Sequence, residues 1–196
     1  MISALLRKTL TNYLFFPIAK HINIAPNLIT LLSLPFAFLA LVFLSLKNWY
    51  IALLFIFISS IIDNIDGAVA KLHNKKTRFG SYLDGFCDKI QEFFIYLGLA
   101  LAGYVFESFV AFSLSFFVNF AKIRAEMVKS LDNMDWPSIG ERAERIIIIF
   151  LSIALNALIN ANDIDFIRVG LYTVSLISFF GIVQRFIFAN KYLSEK

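Results

Sequence analysis

Cysteine occurs once, at Cys87, so no intrachain disulfide can form and the redox compartment cannot be read from the chain. Cys87 falls between Asp84 and Asp88 but off their helix face, where inert packing is the expected role. Histidine occurs twice, and neither His21 nor His73 has a second His or Cys nearby. Both therefore read as interfacial polar residues rather than metal ligands. The 8 glycines form no glycine-rich phosphate loop, and there is no serine-nucleophile elbow and no nucleic-acid-binding motif. The basic loop over 71–78 suits a membrane surface better than a duplex, so no nucleic-acid partner is expected. Internal repeats and low-complexity tracts are missing as well. The N-terminal stretch lacks a short apolar core followed by a small-residue cleavage site, so no removable signal peptide is expected. Charge itself is scarce, at 16% of residues.

What is abundant is apolar: 59% of 196 residues are hydrophobic, Phe alone occurs 23 times, and the mean hydropathy is +0.75. A soluble domain of this length could not bury so much apolar surface, whereas repeated runs of about 20 residues fit helical membrane spans. The expected fold is all-α and integral to the membrane. It is one domain over 1–196, with six transmembrane helices and an N-terminal interfacial amphipathic helix over 1–22. In that first segment Leu5, Leu6, Thr9, Leu10, Tyr13 and Leu14 recur near helical spacing, but Arg7, Lys8, Asn12 and Lys20 make it too polar to span.

The spans are predicted at 27–46, 49–71, 81–106, 109–131, 139–160 and 166–188. Pro26-Asn27 opens the first, which tolerates Pro35 as a kink. A Lys47-Asn48 turn leads to interfacial anchors Trp49-Tyr50. Glu107-Ser108 turns into the fourth span, and a capping box from Ser138 to Glu141 opens the fifth. Asn162–Asp165 makes the last turn, and Gly170 and Gly181 offer close-packing points on the sixth. The pairs Phe93-Phe94, Phe116-Phe117 and Phe179-Phe180 read as lipid-facing or core packing. Six spans place both termini on one side. Of the 18 Lys and Arg, all but Lys47 and Arg168 lie on that same side. The positive-inside rule then predicts cytoplasmic termini, in the plasma membrane of a prokaryote.

The most informative stretch is Asp63–Asp88, D-N-I-D-G-A-V-A-K-L-H-N-K-K-T-R-F-G-S-Y-L-D-G-F-C-D. An ionised side chain at the edge of hydrocarbon is costly, so an acid there is a functional candidate. Asp63 and Asp66 are i, i+3 at the end of one helix, and Asp84 and Asp88 are i, i+4 at the start of the next. A short turn lets the two pairs converge into an oxygen-rich site suited to hard cations such as Mg²⁺ or Mn²⁺. Gly67, Ala70 and Gly80 on the same faces leave room for a bulky ligand to approach the backbone. The competing reading is a solvated helical hairpin with its acids in the headgroup zone; four acids in register with three small residues argue against it. Two divalent ions between acids are a known device for phosphoryl transfer, and an acid not committed to metal can accept a proton from an attacking hydroxyl.

The same residues carry a family resemblance. The stretch resembles the CDP-alcohol phosphotransferase signature D-x-x-D-G-x-x-A-R, eight residues, then G-x-x-x-D-x-x-x-D. Asp63, Asp66, Gly67, Ala70, Gly80, Asp84 and Asp88 all fall in register, and Lys71 stands where the family usually has Arg. The resemblance implies two Mg²⁺ or Mn²⁺ ions held chiefly by Asp63, Asp66 and Asp84. Asp88 becomes the candidate base, also able to touch metal. Gly67, Ala70 and Gly80 line a nucleotide pocket. Lys71 either serves the diphosphate, as a point charge in place of a planar fork, or snorkels to headgroups. The implied reaction is attack by an alcohol hydroxyl on the phosphorus bearing the lipid of a CDP-lipid, CDP-diacylglycerol or CDP-archaeol, with release of CMP. Relatives of this kind imply a homodimer.

A second constellation concerns the acceptor. Lys122, Arg124, Arg142 and Arg145 are cations at the cytoplasmic ends of the fourth and fifth spans, with Arg142 and Arg145 at i, i+3. Fixed cations suit an anionic acceptor, although lipid phosphates or Glu126, Glu141 and Glu144 are alternative partners. Residues I-R-A-E at 123–126 and G-E-R-A-E-R at 140–145 resemble the phosphatidylinositol-phosphate and archaetidylinositol-phosphate synthase branch. Ile123 and Asn119-Phe120 depart from its pattern. By that resemblance Arg124, Arg142 and Arg145 bind the acceptor phosphate, while Lys122 is chosen on charge alone. The acceptor expected is an anionic polyol, inositol phosphate first. Glycerol phosphate, as in phosphatidylglycerophosphate synthases, and a soluble CDP-inositol donor are the alternatives within the family. Outside it stand a Mg²⁺-dependent intramembrane prenyltransferase, whose Asp-rich motifs would lie farther apart, and a cation transporter, whose acids would lie nearer the bilayer midplane.

Overall fold

In a computed structural model the chain is described over residues 16–129, 136–137, 139–159 and 164–194. Among these residues every regular element is helical. They are α1 (Phe16–Ala19), α2 (Pro26–Ser45), α3 (Trp49–Leu72), α4 (Arg78–Leu101), α5 (Val105–Val128), α6 (Arg142–Leu158) and α7 (Phe166–Leu193). Most of the expected interfacial helix, residues 1–15, lies outside the described residues, and α1 is one turn at its end. Four helices (α2, α3, α5 and α7) are long and apolar enough to cross a membrane. The acids and bases in its first half keep α4 out of that group, and α6 is only 17 residues long. The chain is an integral membrane protein.

Two compact units divide it, Met1–Gly103 and Tyr104–Lys196. In the first, α2 packs on both α3 and α4, and α1 packs on α3. The buried stripe of α2 runs Ile29, Ser33, Ala37, Leu41 and Leu44, close to helical repeat. Small residues let the backbones close in. A Cβ on Gly98 of α4 would lie 2.8 Å from Leu44 Cβ and 3.0 Å from the Leu41 backbone. Helix α2 continues through Pro35. Lys47 takes φ 58 in the turn to α3, and Asn74 takes φ 53 in the turn to α4. Thr77 then caps α4, its Oγ1 accepting from Gly80 N at 2.9 Å. This tight 73–77 connection brings the end of α3 beside the start of α4.

The third predicted span, 81–106, starts and ends too late. Helix α4 runs Arg78–Leu101, and Gly103 with φ +114 stops it in a conformation other residues rarely adopt. The turn falls at 102–104, not at Glu107-Ser108. Glu107 sits instead in the first turn of α5, where the helix dipole favours an acid.

In the second unit α7 packs against both α5 and α6. Gly170 and Gly181 are indeed close-packing points. A Cβ on Gly170 would lie 1.9 Å from Ser152 Oγ, and one on Gly181 2.5 Å from Ile139 O. The fifth predicted span began too early. Gly140 at φ +74 cannot belong to a helix, so α6 starts at Arg142. Ser138 lies outside the described residues; Glu141 is the N-cap residue and no side chain caps the helix, while Glu144 Oε2 accepts from Gly140 N just before it at 3.0 Å. At the other end of this unit Asp165 caps α7 by accepting from Arg168 N at 3.1 Å, and Arg168 Nε pairs with Glu107 Oε1 at 2.8 Å. Phe116, Phe117, Phe179 and Phe180 are exposed, as lipid-facing side chains should be.

Candidate active site

Helical spacing turns Asp63 and Asp66 of α3, and Asp84 and Asp88 of α4, toward the cleft that the 73–77 connection creates. One carboxylate oxygen from each of Asp63, Asp84 and Asp88 lies within 4.8 Å of the others. All three residues are half-buried. Carboxylates this close repel by roughly 3–4 kcal/mol per ionised pair at an effective dielectric of about 20. A hard divalent cation offsets that repulsion, and the all-oxygen donor set fits Mg²⁺ or Mn²⁺. Asp66 lines the same cleft. It is only 4% exposed, and its Oδ2 accepts a hydrogen bond from Thr30 Oγ1 of α2.

The acids open on a cavity of ≈ 380 Å³ whose lining includes all four of them together with Gly67, Ala70, Lys71 and Gly80. The two glycines serve different ends. A Cβ on Gly67 would meet nothing within 4 Å, so its absence leaves space in the cavity. A Cβ on Gly80 would stand 3.0 Å from Thr77 Oγ1 and 3.1 Å from Asn27 Oδ1, so here the missing atom admits the cavity wall. Lys71 lines the cavity while its Nζ lies 5.3 Å from the Phe16 ring centroid, a cation–π contact. His73 makes a polar contact to Ala19 O at 3.4 Å, a structural use of the ring.

Several residues here were not singled out in the sequence. Asn27, Lys75 and Lys76 also line the cavity. Behind the acids, Gln91 Nε2 donates to Asp63 Oδ1 at 2.8 Å. Thr30, Ser33, Ser59 and Gln91 are all buried. The available signal was spacing: Ser59 precedes Asp63 by four residues, and Gln91 follows Asp88 by three.

The four predicted acceptor cations belong to the second unit. Lys122, on α5, pairs with Glu126 at 3.8 Å, and Arg124 is exposed. On α6, Arg142 is half-buried, whereas Arg145 is wholly buried and donates from Nη1 to Gly140 O. Glu144 is engaged with Gly140 N. A further buried cation, Arg185 of α7, escaped the sequence reading. Its Nη1 donates to Val118 O at 2.6 Å.

Apolar helices thus carry a carboxylate-lined polar cavity suited to a divalent cation. The model of the CDP-alcohol phosphatidyltransferase family matches residues 23–183, and the chain belongs to that family. It is therefore a transferase of substituted phosphate groups in phospholipid biosynthesis. The chain is similar to an uncharacterized protein of Aquifex aeolicus, 35% identical over 181 residues, which is 89% of this chain and 86% of that one. It is also similar to the archaetidylinositol phosphate synthase of Pyrococcus horikoshii, 31% identical over 174 residues, 88% of this chain and 87% of the other. The fold is that of the phosphatidylinositol phosphate synthase of Mycobacterium tuberculosis. Its crystal structure with CDP-DAG bound matches with a TM-score of 0.78 at 23% identity, over 90% of this chain and 94% of that one. The structure of the same enzyme with manganese and citrate matches with a TM-score of 0.77 at 22% identity, over 90% and 88%.

Proposed function

We propose that this enzyme transfers the phosphatidyl or archaetidyl group of a CDP-lipid to a hydroxyl of inositol phosphate, releasing CMP. The observation that carries the reading is the meeting of Asp63, Asp84 and Asp88 at the wall of a polar cavity. Asp63, Asp66, Asp84 and Asp88 would hold two Mg²⁺ or Mn²⁺ ions, which when bound neutralise the diphosphate and stabilise charge on attacking and leaving oxygens. Asp88 takes the proton of the acceptor hydroxyl. The acceptor oxygen bonds to the phosphorus that carries the lipid, the bond from that phosphorus to the bridging oxygen breaks, and CMP leaves with the electron pair. Gly67, Ala70 and Gly80 give the nucleotide room, and Lys71 supplies a point charge to the diphosphate.

Lys122, Arg124, Arg142 and Arg145 bind the acceptor phosphate in this proposal. The 123–126 and 140–145 motifs support inositol phosphate, as does similarity to a relative named archaetidylinositol phosphate synthase. In this proposal α4 and α6 cross the membrane along with the four long apolar helices, with both termini and the active site cytoplasmic. Residues 1–196 form one membrane domain that works as a homodimer.

Purified protein incubated with CDP-lipid, Mn²⁺ and a panel of labelled inositol phosphate, glycerol phosphate, serine and inositol tests the reading. CMP release with label entering lipid from inositol phosphate is expected. Preference for glycerol phosphate would replace the acceptor, and the absence of any CMP release would overturn the reaction.

A further inference from the structure

Gln91 follows Asp88 by three residues on α4, so it projects from the face that carries the acids. It is 3% exposed, and an amide so buried costs roughly 1–3 kcal/mol for each polar group left unmatched. Its groups are matched by side chains of two other helices. Nε2 donates to Asp63 Oδ1 and to Ser33 Oγ, each at 2.8 Å, and Ser59 Oγ shares its one proton between Oε1 and Ser33 O, both at 3.1 Å. These partners dictate which way the amide faces. A carboxylate can only accept, so the NH₂ group must face Asp63. Ser33 Oγ donates its own proton to Thr30 O at 2.6 Å and therefore accepts from Gln91. Turned the other way, the amide oxygen would oppose the carboxylate.

We propose that Gln91 is a positioning residue for Asp63. By holding Oδ1 it sets the rotamer of the carboxylate and the direction its lone pairs present to a divalent ion. Ser59 and Ser33 in turn hold Gln91. The proposal rests on Asp63 being a metal ligand, as read above. Outer partners of metal-binding carboxylates are worth about 10–100-fold in metal affinity.

Mn²⁺ binding to the purified, substrate-free protein, followed by the electron paramagnetic resonance of free Mn²⁺, provides the test, together with turnover measured against Mn²⁺ concentration. Gln91→Leu should raise the Mn²⁺ Kd about 10–100-fold. Excess Mn²⁺ should restore most of its turnover, a rescue that a merely structural defect would not show. Ser59→Ala, which leaves both amide donors in place, should give a smaller shift in the same direction. Thermal unfolding in EDTA separates folding from metal effects. If Gln91→Leu does not fold, Gln91→Met, which keeps the length of the side chain and removes the amide, takes its place, and an unchanged Kd there overturns the proposal. An unchanged Kd in folded Gln91→Leu, with Asp63→Asn weakened, overturns the role of Gln91 and leaves the metal site standing. A wild-type protein that binds no Mn²⁺ overturns both.

Discussion

In the first unit the buried or half-buried charge around the cavity is negative, and neutral side chains hold it in place. Thr30 donates to Asp66 and Gln91 to Asp63, both across from neighbouring helices. Among the described residues of the second unit the buried charges are Arg145 and Arg185, and main-chain carbonyls receive them: Gly140 O for Arg145 and Val118 O for Arg185. The contrast is instructive. A carbonyl dipole satisfies one guanidinium donor, so each buried arginine is tied to backbone of its own unit. Clustered carboxylates keep their mutual repulsion even where an amide donor holds one of them, so their arrangement calls for a cation from outside the chain. Acids here are arranged for a ligand, while Arg145 and Arg185 each commit one guanidinium nitrogen to the main chain.

The strongest way to break this contrast is Asp88→Asn. If Asp88 is the base, turnover should fall about 10²–10⁴-fold while CDP-lipid binding persists, as measured by product formation and by donor binding to the inactive variant. Asp63→Asn should weaken Mn²⁺ binding by at least the ~10–100-fold expected for losing an outer partner, and an unchanged metal titration would remove it from the ligand set. Arg142→Ala sharpens the other side. Loss of a charge-assisted hydrogen bond worth about 1.5–3 kcal/mol should raise the acceptor KM by roughly 10–100-fold, well beyond any change in donor KM. Equal effects on the two substrates would mean Arg142 serves only the fold. Two glycines give the smallest and most opposed effects. Gly181→Ala drives a Cβ toward Ile139 O, 2.5 Å away, and should lower stability by about 1–3 kcal/mol in thermal unfolding. Gly67→Ala meets nothing and removes a helical glycine, so it should stabilise by about 0.5–1 kcal/mol while raising the donor KM.

Helix identity was largely legible because an apolar run reveals itself by length. Helices α2 and α3 begin and end within a residue or so of their predicted spans. Helix ends elsewhere were less legible. Gly103 and Gly140 stop or delay helices by adopting positive φ, and nothing in hydropathy distinguishes them from helical Gly98 or Gly181. The acids were legible as two pairs on facing helices because i, i+3 and i, i+4 spacing is local. Their supports were not: Asp66 is tied to Thr30, a residue 36 positions away.

What the sequence determined alone is therefore whatever depends on neighbours along one helix: membrane-length apolar segments, carboxylates sharing a face, and the motif that marks the family. Tertiary structure decided which acids meet, which cations are buried, and what steadies Asp63. Gln91 reaches Asp63 and Ser33 across separations of 28 and 58 residues. Hydrogen bonds between helices require matched direction as well as distance, and helical periodicity along one segment carries no information about the rotation of the next.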